Sequence, residues 1–354
     1  MRVIDGSYGE GGGQILRTAL ALSAVTLEPV KIINIRAKRR NPGLARQHMT
    51  AVRALAEITD AEVEGLSLGS KELVFMPRRI KPGSYRFDIG TAGSITLVLQ
   101  ALAPALVYAP GPVELEIRGG TDVSWSPTVD YFSNVFLRFL ERMGYRVELE
   151  LIRRGHYPRG GGIVRVKIPA PPRRLKPLTI EVRGAILRIR GRSHCVRLPR
   201  HVAERQAAAA EKALRSKLGR LDIRIDVEYY EPSRDPHLGP GSGVALWAET
   251  EKSILGADSL GARGKPAEVV GEEAAGKLAE DLSRNTALDR HMSDMIIPFL
   301  AMADGVSTVT GARYSLHAYT NVWVVRQMLG TEIEVEGRLD EPFRLRVKGS
   351  PPRF

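Results

Sequence analysis

Apolar positions recur along this chain in two alternating rhythms, and the order of those rhythms repeats. Ile4-Asp5-Gly6 leads through Gly9-Glu10-Gly11-Gly12-Gly13 into the helix-like run Gln14 to Leu20, and Phe87-Asp88-Ile89-Gly90 leads through Thr91-Ala92-Gly93-Ser94 into Ile95 to Gln100. The two segments lie about eighty residues apart, the mark of a repeated unit. Each is followed by a β-rich stretch, Val30 to Ile35 and Val113 to Ile117. Second helices follow, Gly43 to Ile58 and Pro127 to Met143, with apolar residues three and four apart. Two strand-like runs close each unit: Ala61 to Glu64 with Leu73 to Met76, and Arg146 to Leu151 with Gly162 to Ile168. The unit reads βαβαββ twice.

A third copy starts with a strand Leu178 to Val182 and resumes far downstream with a helix Arg290 to Ala303, a strand Val306 to Thr310, a helix Ala318 to Leu329 and strands Glu332 to Glu336 and Phe343 to Val347. The intervening stretch has its own pattern. Strand-like Ile186 to Arg190 precedes an Ala-rich helix His201 to Leu218, strands Ile223 to Tyr229, Val244 to Glu249 and Ser253 to Ala257, and an amphipathic helix Ala267 to Ser283. The expectation is an α/β (α+β) protein whose large domain takes residues 1–180 and 284–354. Its units run about 1–80, 81–170 and 176–182 plus 284–354, with a smaller α/β domain inserted at 183–283 and Pro169-Ala170-Pro171-Pro172 as a boundary linker.

Composition narrows the class. The 354 residues are 43% hydrophobic and 26% charged, enough apolar surface for a sizeable core. Lys plus Arg number 52 against 40 Asp plus Glu, a net charge of +12, which favours polyanionic partners without naming one. Apolar runs are too short or, like Ile95 to Ala109, interrupted by Pro104, so no membrane span or secretion signal is expected. The single cysteine, Cys195, excludes an internal disulfide and a Cys-based zinc site, and a cytoplasmic location is the expectation. Scarce Asn and Gln beside plentiful Arg, Glu and Pro suggest heat adaptation.

Three glycine-rich segments carry candidate chemistry. Gly9 to Gly13 precedes a helix, where free N–H groups and the helix dipole favour phosphate. It lacks the Lys and Ser/Thr of a Walker loop and the spacing of a dinucleotide fingerprint, so a tight turn competes with a phosphate cradle. Glu10 inside the loop and Arg17 beyond it favour the second, as a metal ligand and a phosphate clamp. Arg154-Gly155-His156-Tyr157-Pro158-Arg159-Gly160-Gly161-Gly162 reads as a bulge or hairpin between strands, and Gly239 to Gly243 as a loop. The basic run Arg36 to Arg40, followed by Arg46 and Gln47, is a solvated face by charge alone but lies at a strand end where open α/β sheets put ligands. No histidine pair has the spacing of a helical zinc motif. His317, in Tyr314-Ser315-Leu316-His317-Ala318-Tyr319-Thr320-Asn321, holds the place in the third unit that the basic run holds in the first.

Five of these segments in order, Gly9 to Arg17, Arg36 to Gln47, Gly119-Gly120-Thr121-Asp122, Arg154 to Gly162 and His317 to Asn321, resemble RNA 3′-terminal phosphate cyclases over nearly the whole chain. The resemblance is to the cyclase branch, in an archaeal or thermophilic form. It implies three βαβαββ repeats similar to the C-terminal domain of bacterial translation initiation factor three, with a smaller inserted domain. It also implies ATP-dependent conversion of an RNA 3′-phosphate to a 2′,3′-cyclic phosphodiester, with a divalent metal (Mg or Mn), through a covalent histidine-AMP and an RNA adenylate. Carried over by position, His317 is the nucleophile and Glu10 holds the metal. Arg17, Arg36, Arg39 and Gln47 bind the RNA phosphate or the triphosphate, with Arg17 and Arg39 acting in catalysis. Gln100, Pro127, His291, Asp294 and Met295 line the nucleotide pocket together with His317. His291 and Met295 stand where related bacterial sequences have tyrosine and glutamine, which leaves nucleotide selectivity open. A non-catalytic ribosome-assembly relative, expected to lack the histidine, is the alternative. Enolpyruvyl transferases, with acidic substrates and a similar repeat, are a third class, disfavoured by the insert and by Arg154 to Gly162.

Overall fold

The computed structural model describes residues 1–352 and is a mixed α/β structure. The first unit comprises β1 (Arg2–Asp5), α1 (Gly13–Thr26), β2 (Val30–Ile33), α2 (Arg46–Thr59), β3 (Glu62–Glu64) and β4 (Leu73–Met76). Its sheet has the order β1-β2-β4-β3, with β1 and β2 parallel and the other pairs antiparallel. The second runs through β5 (Gly83–Asp88), α3 (Ile95–Leu106) and β6 (Val113–Gly119). A composite helix follows, α4 (Val129–Tyr131), a π turn Phe132–Phe136 and α5 (Leu137–Arg142), then β7 (Glu148–Arg153) and β8 (Gly162–Ile168). These strands are ordered β5-β6-β8-β7, again with only the first pair parallel.

After β9 (Thr179–Ile180) the chain leaves for another sheet made of β10 (Ile186–Val196), β11 (Ile223–Glu228), β12 (Gly241–Thr250) and β13 (Ile254–Leu260), with α6 (His201–Leu218) and α7 (Ala267–Ser283). It returns through α8 (Met292–Met295), α9 (Ile297–Met302), β14 (Val306–Gly311), α10 (Leu316–Leu329), β15 (Glu332–Glu336) and β16 (Phe343–Lys348). The order β15-β16-β14-β9 repeats the arrangement of the first two sheets. Its two-residue strand β9 is joined in parallel to β14 across the whole excursion.

Helices α1, α3 and α10 meet in the middle of the molecule, α1 packing on both others. Leu16, Leu20, Ile95, Leu102, Val324 and Val325 are buried there in one continuous apolar cluster that draws on all three sheets. A second cluster, including Ile189, Leu246, Leu255, Val270 and Leu278, lies between α6, α7 and the β10–β13 sheet. Local chemistry explains the helix starts at the centre. Ser94 Oγ accepts the Leu97 N–H at 3.2 Å and Ser315 Oγ accepts the Ala318 N–H at 3.1 Å, while α10 stops at Gly330 with φ 64°. Helix α1 has no such side-chain cap.

Some expectations need correction. The single helix expected over Arg290 to Ala303 is two short helices, because Pro298 sits in the first turn of α9, where its missing N–H costs no hydrogen bond. The helix expected over Pro127 to Met143 carries a π turn. The strand expected over Ile186 to Arg190 runs on to Val196. Gly241 and Gly243, expected in a loop, are the first and third residues of β12; a side chain at Gly241 would collide with the His156 ring, and one at Gly243 would press on His194.

Candidate active site

Glycine is required at the mouth of α1. A Cβ on Gly12 would run into the Glu10 carboxylate and the Arg39 guanidinium, and one on Gly13 into His48 and Arg17. Gly9 and Gly11 have φ of 51° and 62°, so the loop wraps tightly and leaves the uncapped N–H groups of α1 free for an anion. Glu10 pairs through Oε1 with Arg39, while its Oε2 is buried without a hydrogen-bond partner. An orphaned carboxylate oxygen beside free amides suits a hard divalent cation that takes its remaining oxygens from phosphate and water.

All eleven residues singled out from the sequence line one cleft of about 800 Å³. Glu10, Arg17, Arg36, Arg39 and Gln47 come from the first unit, Gln100 and Pro127 from the second, and His291, Asp294, Met295 and His317 from the third. His317, in the first turn of α10, is open to the cleft on one side. Its Nδ1–H donates to Gln14 Oε1 at 2.8 Å, and Gln14 Nε2 in turn donates to Asp294 Oδ2 at 3.5 Å. That chain fixes the tautomer and leaves Nε2 with its lone pair. Partial burial and then the charges of Arg17, Arg39 and His291 pull the His317 pKa down to about 4, so the ring is neutral at pH 7. Burial pushes Asp294 up to about 7, opposed by Arg17, and lowers Arg17 in turn. Burial also holds Arg36 below its ordinary value, and its Nη1 donates to Gly43 O at 2.7 Å. Gln47 Oε1 accepts the Ser94 N–H at 2.9 Å, tying the first unit to the start of α3. His291 stands edge-on to Tyr131 with ring centroids 5.9 Å apart.

These shifts predict a particular pH profile. An ordinary histidine would be about nine-tenths charged at pH 5.5 and would lose nucleophilicity in proportion. His317 stays neutral down to about pH 4, so any fall in reactivity near neutrality follows Asp294, whose anion holds Gln14. Modification of His317 by an imidazole-directed electrophile is expected to show an inflection near pH 7 that disappears in Asp294→Asn. An inflection near 6.5 that persists in Asp294→Asn would contradict this.

Several lining residues were not anticipated. Gln14 and Thr18 share the face of α1 that carries Arg17, a polar stripe on a mostly apolar helix, with Ala21 one turn further along the same face. Thr18 Oγ1 donates to Asn321 Oδ1 at 2.7 Å, and Asn321 Nδ2 donates to the Asp294 carbonyl at 2.9 Å, locking α1 to α10 and α8. His48 is buried against Arg17 and Arg36, and its pKa falls to about 3. Asp258 and Lys277 reach the cleft from β13 and α7, and no local sequence signal marks them.

Repeated sheets of one strand order surround a cleft of arginines, an uncapped helix and a neutral histidine, groups whose chemistry suits phosphate. The profile described as "RNA 3'-terminal phosphate cyclase" matches residues 8–335. Relatives called RNA 3'-terminal phosphate cyclase are 62% identical in Hyperthermus butylicus over 99% of this chain and 98% of the relative. The identity is 62% in Ignicoccus hospitalis and 57% in Methanopyrus kandleri, each over 98% of both chains. This chain belongs to the RNA 3′-terminal phosphate cyclase family, and it is an enzyme. No described helix is long and apolar enough to cross a membrane.

Proposed function

We propose that this enzyme converts an RNA 3′-phosphate to a 2′,3′-cyclic phosphodiester with ATP as co-substrate, through AMP carried first on His317 Nε2 and then on the RNA phosphate. The observation that carries this reading is the tautomer of His317, whose Nδ1–H is held by Gln14 so that a neutral Nε2 faces the cleft. Nε2 attacks the α-phosphorus and pyrophosphate leaves. An oxygen of the RNA 3′-phosphate then displaces the imidazole, and the ribose 2′-hydroxyl attacks the activated phosphorus, expelling AMP. Activation is needed because an unmodified phosphate oxygen is a poor leaving group. Arg17, Arg36 and Arg39 stabilise the charge that gathers on phosphate at each displacement. Gln47 positions the acceptor phosphate, while Gln100, Pro127, His291, Asp294 and Met295 hold the nucleoside. Incubation with α-labelled ATP is the direct test. Absence of covalent label would favour a ribosome-assembly role without catalysis, the reading that His317 argues against.

We further read the shared strand order as three copies of a fold similar to the C-terminal domain of translation initiation factor three, with residues 183–283 inserted and a cytoplasmic setting for the enzyme.

Glu10 is the residue that would hold a divalent metal (Mg or Mn), which neutralises phosphate charge when bound. A carboxylate serving only the helix end would contribute about 1 kcal/mol and little to turnover. In Glu10→Ala the metal concentration for half-maximal labelling is expected to rise at least about tenfold with melting temperature nearly unchanged. A lower melting temperature with unchanged metal dependence would favour the helix-end role.

A further inference from the structure

Away from the cleft, the turn between β7 and β8 buries a cluster of ionisable groups against the β10–β13 sheet. Arg154 is 1% exposed and meets Asp122 Oδ2 at 3.1 Å, Asp130 Oδ2 at 2.8 Å and Glu228 Oε1 at 2.7 Å. Arg192, partly in solvent, adds longer contacts to Asp130 and Glu228. Three carboxylates therefore meet two guanidiniums, leaving a negative surplus in a buried place.

Beside Arg154 lie His156 and His194, 7% and 2% exposed, with Nε2 atoms 3.3 Å apart. Asp122 is 1% exposed, and while its Oδ2 takes the Arg154 and Thr121 bonds, its Oδ1 is buried without any partner. One donor atom from each of Asp122, His156 and His194 falls within 4.8 Å of the other two. Two imidazole nitrogens held by one tetrahedral zinc at 2.0–2.1 Å stand about 3.3–3.4 Å apart. Gly241 and Gly243 give the rings their room.

We propose that Asp122, His156 and His194 form a divalent transition-metal site, zinc by ligand chemistry, joining the second unit to the inserted sheet. Imidazole and carboxylate donors suit zinc, and its charge offsets the carboxylate surplus. His237 lies nearby with Nδ1 held by Asp235 at 2.7 Å, but its Nε2 is outside the group of donors, so the fourth position goes to water. The competing arrangement is an imidazole–imidazole hydrogen bond, which leaves the buried Asp122 Oδ1 without a partner. The proposal is independent of the cyclase reading.

The test uses the full chain, stripped with a chelator and titrated with Co²⁺ in the absence of ATP. The expected result is an intense visible band of four-coordinate cobalt, saturating at about one equivalent per chain and displaced by Zn²⁺. Zinc should also raise the melting temperature of the stripped protein. The band should survive in Glu10→Gln and vanish in both His194→Gln and Asp122→Asn, whose folding is checked by circular dichroism. No band in the unmodified protein, a band unchanged in a folded His194→Gln or Asp122→Asn variant, or one lost in Glu10→Gln would overturn the proposal.

Discussion

In the His317→Asn protein, covalent AMP and ATP-driven cyclisation are expected to fall by at least about 10⁴-fold, as for other displaced nucleophiles. An RNA whose 3′-phosphate already carries AMP should still cyclise. Asparagine keeps a polar group that can reach Gln14 Oε1 but has no ring nitrogen to attack phosphorus. In the proposed sequence the last displacement uses the RNA's own 2′-hydroxyl and has no need of the lost Nε2. A histidine acting as a cation would be missed in every step, and the downward shift of its pKa to about 4 speaks against that role. Equal loss of cyclisation from ATP and from pre-adenylylated RNA would support the cationic role.

Replacing Arg17 by Ala should reduce both histidine labelling and cyclisation of pre-adenylylated RNA, each by about 10²–10³-fold, the usual cost of removing a fixed donor to a developing anion. The guanidinium lies in the cleft wall on the α1 face that carries Gln14, and it opposes the upward shift of the Asp294 carboxyl. Its removal also leaves Asp294 more readily protonated, loosening Gln14 and with it the His317 tautomer. Arg17→Lys should recover part of the rate, because a point charge replaces the fork. Adding Asp294→Asn to Arg17→Ala should cost less than Asp294→Asn alone, since the two residues act as a pair. Full activity in Arg17→Ala would remove it from the phosphate site.

Much of this site was legible because its parts are local signals. A glycine run before an apolar helix, a basic run at a strand end and a histidine inside a serine-capped helix start can each be recognised within a dozen residues. The repeated order of helices and strands then suggested that they share one cleft, which they do. Gln14 reads in the sequence as the opening residue of an apolar helix, although with Arg17 and Thr18 it forms the polar stripe of α1. Asp258 and Lys277 reach the cleft only through the placement of β13 and α7, which no periodicity encodes. The Arg154 segment shows the limit most clearly. Its glycines announce a hairpin, but the partners that bury Arg154 lie 32 and 74 residues away and its role is set by packing. The break before α9 was available in Pro298 and yielded to the apolar spacing around it.

Whether AMP is carried on His317 is decided by mapping the covalent label. Protein incubated with α-labelled ATP and metal, without RNA, should carry acid-labile, base-stable AMP on the peptide containing His317, and adding 3′-phosphorylated RNA should discharge it as AMP and a cyclic end. Label on a lysine, on His291, or persisting in His317→Asn would contradict the account.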